Sequence, residues 1–350
     1  MIKHLIWLCL LVLFLSACGD TNNQYQNKEQ AQQALQRLNQ FLRPTDAISS
    51  VSESQFPFSA AYLKERHNIY KAMKGLELTP AAQSSLDYLI IAERFPQRYF
   101  TWPAHIPVLD NMLDHNQHND ITDAINNWIG FTQQQLVAAK ESKLRLNSIE
   151  LTALQSQVTK SLARSDLPET IKRTLIQFND YLASYTPRGS VGLYGLSNGG
   201  PWYQSKLNYF SGITKAPINW LVAIQAQLKD MKQVPYMITF AENHQHSVLA
   251  QRFTLSKQNT AGFDWAQNYH ELTLNAAQIA TRLTPEERTF WLAMMETDLG
   301  IHYHAWTVQQ ARVNLLKHLQ MTPQQVDYLL ADIIFYPAQS FSFASLLTPQ

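Results

Sequence analysis

The side chains that could do chemistry fall in three places. Glu242 and His246 lie four apart, so on a helix they share one face, where a carboxylate and an imidazole could hold a cation. Asp264, His270, Glu271 or His302 would have to complete the set. A catalytic zinc needs three protein ligands and a water, with a carboxylate beside it to take the water's proton. The other reading is that Glu242, His244 and His246 line a polar cleft or a solvated face with no metal. The second place is Gly195-Leu196-Ser197-Asn198-Gly199, which fits the Gly-x-Ser-x-Gly elbow that lifts a serine nucleophile onto a strained strand-to-helix turn. Residues 191–194 are short for the buried strand such an elbow follows, and His244, His270 or His302 would have to serve as base. Ser197 and Asn198 read more simply as a turn that positions the following helix. The third is the pair His302 and Trp306, again four apart and so on one helix face, which would fit a structural histidine beside a core indole.

The elements that must position these groups read as helices. Leu35, Leu38, Phe41 and Leu42 recur at helical spacing, as do the apolar residues of 62–73. Thr79-Pro80, Thr284-Pro285 and Thr322-Pro323 each combine a capping threonine with a first-turn proline, opening helices at 81–94, toward Leu299 and before Pro337. Between them the helical pattern runs through 121–163 as one long segment, then 168–185, 201–210, 217–231 and 235–253. Phe290, Trp291, Met294 and Met295 form a stripe expected in the core, and Tyr99-Phe100-Thr101-Trp102-Pro103 a packed connecting loop. Strand signals are confined to residues 191–194, where a short hairpin would fit. The class expected is all-α.

Residues 1–18 give an address. Lys3 and His4 precede an uncharged apolar run of about 11 residues, against the roughly 20 that a membrane span takes, and Ser16-Ala17 precede Cys18. This is the plan of a secretory signal, and Leu15-Ser16-Ala17-Cys18 resembles the bacterial lipobox, whose cysteine is lipidated and becomes the new N-terminus. Gly19 stands where inner-membrane retention calls for aspartate, which points to the outer membrane with the protein facing the periplasm. The organisation expected is a signal over 1–17, a polar tether over 18–33 and one domain over 34–350. Cys9 leaves with the signal and Cys18 carries lipid, so no disulfide is expected. A net charge of +1 without a basic block gives no reason to expect nucleic acid as a partner. Aromatics at 11% suit a large core or an apolar cleft.

Three blocks carry a family resemblance. Asp298-Leu299-Gly300-Ile301-His302-Tyr303-His304-Ala305-Trp306-Thr307 resembles the Asp-Thr-Gly-Ile-His-x-x-Gly-Trp-Thr block of the bacterial domain-of-unknown-function family 885. Pro337-Ala338-Gln339-Ser340-Phe341-Ser342-Phe343 is similar to its closing Pro-Gly-Gln-Ala-Leu-Ser-Tyr. Gly199-Gly200-Pro201-Trp202-Tyr203 with Leu207 is similar to its Gly-x-x-Tyr-Tyr-x-x-x-Leu. The likeness spans residues 85–350. It implies a multi-helix, zinc-metallopeptidase-like body around a deep cleft, with Asp298, His302 and Trp306 near a peptide-binding wall.

The family pattern also holds His-Glu-x-x-Pro-Gly-His and, later, Glu-Gly-Trp-Ala, and there this chain departs. The corresponding segment is Met237-Ile238-Thr239-Phe240-Ala241-Glu242-Asn243-His244-Gln245-His246. Matching His244 to the second histidine puts Ile238 and Thr239 at the His-Glu positions; matching His246 puts Phe240 and Ala241 there. Phe263 stands where the third ligand belongs, and Phe343 replaces a tyrosine whose phenol could steady an oxyanion. The resemblance therefore implies a scaffold stripped of its zinc chemistry: a non-catalytic, lipid-anchored protein binding a peptide or envelope partner, with no cofactor. The alternative is a working hydrolase, through zinc on shifted ligands at Glu242 and His246 or through Ser197.

Overall fold

The computed structural model describes residues 25–38, 59–99, 109–110, 112–114, 121–235, 285–341 and 344. Among them the chain is helical nearly throughout, as the periodicity implies. The one ladder among the described residues is a two-residue parallel pairing of β1 (Val234–Pro235) with β2 (Leu319–Gln320). No hairpin forms at 191–194, where a 3-10 turn (Leu193–Gly195) stands instead. Pro235, read as a helix start, lies in β1.

The capping signals account for where helices begin. α1 (Lys28–Leu38) and α2 (Ala60–Lys74) pack on each other, and α2 also meets α3 (Pro80–Arg94). Thr79 Oγ1 accepts the Ala82 N–H at 3.3 Å with Pro80 in the first turn, so one orphan donor is satisfied and another never existed. The short α4 (Pro96–Tyr99) leads to α5 (Thr122–Glu141). The stretch read as one long segment breaks there. Lys143 adopts φ 60°, and the Leu144 and Lys143 N–H groups reach back to the carbonyls of Ala139 and Lys140, closing a Schellman turn. Asn147 then starts α6 (Ser148–Leu162) with a reciprocal capping box: its Oδ1 accepts from the Ile149 and Glu150 N–H groups, and Glu150 accepts the Asn147 N–H.

α6 and α5 both pack on α7 (Glu169–Ala183). α8 (Gly199–Ser211) lies on α3, and α9 (Pro217–Leu228) on α10 (Pro285–His302). α11 (Val308–His318) and α12 (Pro323–Phe335) complete the order, each opened by a threonine–glutamine capping box, Thr307 with Gln310 and Thr322 with Gln325. α10 is the axis of this half. It packs on α9, α11, α12 and the 3-10 turn, and residues 289–302 are all buried. A helix buried on every side needs apolar residues around its circumference, which Phe290, Trp291, Met294 and Met295 help provide. α12 also touches α6, and one continuous apolar core runs from Tyr25 to Ala344. Among the described residues no helix is long and apolar enough to cross a membrane.

Candidate functional site

The buried helix α10 carries polar side chains that must be satisfied internally, and one of them gathers the neighbouring elements. Asp298 is 1% exposed. It accepts from Tyr203 Oη at 2.5 Å on α8, from the Ala338 N–H at 3.1 and 3.0 Å, and from Ser340 Oγ at 3.3 Å. Burial drives its pKa up to about 7, against the opposing pull of those donors and of the Lys206 charge. The Tyr203 hydroxyl is pushed well above its ordinary value by burial and by the adjacent carboxylate. The three blocks of residues 199–207, 298–307 and 337–341 thus meet at one carboxyl group.

One turn further on, His302 is fully buried and stacks on Tyr203 at 5.5 Å between centroids. Its Nδ1 accepts the Leu193 N–H at 3.2 Å, which assigns the proton to Nε2, and Nε2–H donates to the Ile333 carbonyl at 2.8 Å. Burial holds its pKa at about 3, so the ring stays neutral. Trp306 is half-buried and donates its backbone N–H to the Gly300 carbonyl at 2.8 Å. Its indole lies so close over Gly300 that a Cβ there would overlap the ring. Asp298 and His302 are therefore interior struts, their polar atoms turned to the protein itself rather than to a cleft. Ala305 has φ 56° and Ala338 φ 67°, the region that favours glycine.

The loop before α8 is organised by a residue that no motif singles out. Arg188 donates through Nε to the Arg145 carbonyl at 2.8 Å and through Nη2 to the Val191 carbonyl at 3.1 Å. Its Nη1 donates to the Ser190 carbonyl, to Ser190 Oγ and to the Gly192 carbonyl. Asn147 adds a bond from Nδ2 to the Val191 carbonyl, pinning the start of α6 to the same loop. Ser197 is exposed, and its carbonyl accepts from Arg98 Nη2 at 3.3 Å. A 3-10 turn precedes it in place of a strand, and the left-handed residue is Asn198, φ 56°. Gly199 is glycine because a Cβ would overlap the Leu193 carbonyl. The Gly-x-Ser-x-Gly spacing here serves a tight turn, and both nitrogens of His302 are engaged elsewhere.

A second buried cluster sits beside Asp298 on the same helix. Burial alone would raise the Glu296 carboxyl, but hydrogen bonds from His318, Gln225 and Asn314 hold it below its ordinary value. Among the described residues no group of three or more His, Cys, Asp or Glu is placed to share a metal. Cys18, Glu242, His244, His246, Asp264, His270, Glu271 and Phe343 lie outside the described residues.

A pocket of about 50 Å³ opens next to the Asp298–His302 struts. Its wall includes Leu193, whose N–H holds His302, and Ile334 and Pro337, the chain neighbours of Ile333 and Ala338. Arg98, Arg145, Arg188 and Lys206 line it, with Glu150 as the one acidic residue among the described residues of its wall. These charges come from four separate segments and share no spacing, so sequence reading missed them; only the Asn147-x-x-Glu150 capping box was legible. Comparison with protein-family models, with curated proteins and with solved structures finds no match to this chain.

Proposed function

We propose that this chain is a lipid-anchored, periplasm-facing protein at the bacterial outer membrane that binds a peptide or an envelope partner on a helical, metallopeptidase-like body without cleaving it. The observation that carries this reading is the meeting of the three family-like blocks at Asp298, with Ala305 and Ala338 bent as glycine would be where the blocks hold glycine. The scaffold part of the pattern thus has a physical reason to be kept: it ties α8, α10 and the end of α12 together. The hydrolytic part has no counterpart in the sequence, where Ile238 and Thr239, or Phe240 and Ala241, stand in place of the histidine and glutamate. Without a bound, deprotonated water there is nothing to attack a peptide carbonyl. The pocket beside the struts supplies a place for part of a ligand.

The test uses the full chain in detergent, equilibrated with a peptide mixture, the retained peptides being read by mass spectrometry with and without chelator. Retention of uncut peptides under both conditions is expected, with Cys18→Ala moving the chain from the membrane to the soluble fraction. Chelator-sensitive shortening of the peptides overturns the reading.

A further inference from the structure

We propose that the exposed face of α2 is a basic surface that rests on anionic phospholipid head groups of the leaflet holding the Cys18 anchor. The inference rests on the lipid-anchor reading and adds how the body meets the membrane. Spacing comes first. The exposed residues of α2 are Ala60, Lys64, His67, Lys71 and Lys74, at intervals of four, three, four and three, so they form one stripe along the helix. That stripe holds three lysines and no carboxylate, and from Lys64 to Lys74 it runs about 15 Å. The opposite face, with Tyr62, Ile69, Tyr70 and Met73, is buried. The nearby acids are taken up elsewhere. Glu93 on α3 pairs with His67 Nδ1 at 2.8 Å and lies 3.9 Å from Arg66 Nε, and Glu65 lies beside the phenol of Tyr25. Glu77 follows in the loop beyond Gly75.

Position then selects the partner. Tyr25 is the first described residue, 8% exposed, and the Glu65 that it meets is the chain neighbour of Lys64. α1, which follows Tyr25, packs on α2. Cys18 precedes Tyr25 by seven residues, a reach of at most about 25 Å. Acyl chains on Cys18 therefore hold α2 close to the head groups, at a high effective concentration of lipid charge. A lysine at an anionic bilayer surface strengthens binding by about fivefold, an attraction that fades over a Debye length of roughly 10 Å. The stripe has no large apolar side chain, so it lies on the head groups and does not insert.

The test reconstitutes the full chain from detergent into vesicles of phosphatidylcholine alone or with phosphatidylglycerol added. Flotation of the vesicles reads the anchor. The rate of amine acetylation at Lys64, Lys71 and Lys74, followed by mass spectrometry against exposed Lys172 and Lys229, reads docking. Flotation with both vesicles is expected, with the three lysines acetylated about fivefold more slowly on phosphatidylglycerol and the difference erased by high salt. Flotation with both and equal acetylation overturns the docking surface and leaves the anchor standing. Flotation with phosphatidylglycerol alone, lost in Lys64→Gln/Lys71→Gln/Lys74→Gln, keeps the surface and overturns the anchor reading. Flotation with neither overturns both. Protection on phosphatidylcholine that rises with protein density overturns the proposal in favour of a second copy of the chain. Protection by polyglutamate without protection by phosphatidylglycerol overturns it in favour of an acidic protein partner.

Discussion

Asp298 loses its proton near pH 7 and His302 gains one only near pH 3, and because the two lie a turn apart on one buried helix their titrations oppose each other. Asp298 is raised from 3.8, so its contribution to stability is fully present below that value and is lost as pH rises through about 7. His302 is lowered from 6.5, so its contribution is present above that value and is lost as pH falls through about 3. Between about pH 4 and 6.5 the folded chain holds one proton on Asp298 and none on His302, and the unfolded chain holds the reverse. Proton numbers match, and the pair adds no slope to stability in that window. Asp298→Asn breaks the balance. Relative to wild type, the variant should lose about 1.4 kcal/mol per pH unit on acidification across the window, because only the His302 penalty remains. Urea unfolding of both proteins at several pH values reads this directly. Parallel stability curves for wild type and variant would show that Asp298 is ionised in the fold throughout.

At the next level of organisation, the backbone conformations of Ala305 and Ala338 shape the exits from α10 and α12. Each turn directs a chain segment back onto the Asp298 and Gly300 face, and each places an alanine where glycine has no steric cost. Ala305→Gly and Ala338→Gly should each stabilise the protein by about 0.5–1 kcal/mol, the relief of left-handed strain exceeding the added chain entropy of glycine. Thermal melts of the single variants check this, and a lowered melting temperature for either would contradict it. How much of these elements the sequence reveals follows from the same local chemistry. Thr79-Pro80 and Thr322-Pro323 mark helix starts because cap and proline act within one turn. The break at 142–147 escapes notice because Leu136, Ala139, Leu144, Leu146 and Leu151 keep apolar residues flowing across it, and Lys143 takes a glycine's conformation without being one. The capping box of Asn147 and Glu150 was its one local signal.

For the molecule as a whole, residue types in a block do not disclose which way a side chain faces. Asp298, His302 and Trp306 drew attention as candidate ligand contacts, yet the fold turns the first two inward to join α8, α10, α12 and the 3-10 turn. The pocket went unread because Arg98, Arg145 and Lys206 become neighbours only after α4, the start of α6 and α8 have packed. The proposed function depends on whether the chain holds a hydrolytic metal. The sequence offers no His-Glu pair at the expected position, and Glu242 and His246 stand as the sole shifted alternative. The most direct measurement is the zinc content of the full-length protein, loaded with excess zinc, passed through gel filtration and analysed by inductively coupled plasma mass spectrometry. Zinc far below one ion per chain is the result predicted. One tightly retained ion per chain, lost in Glu242→Ala or His246→Ala, would contradict the account.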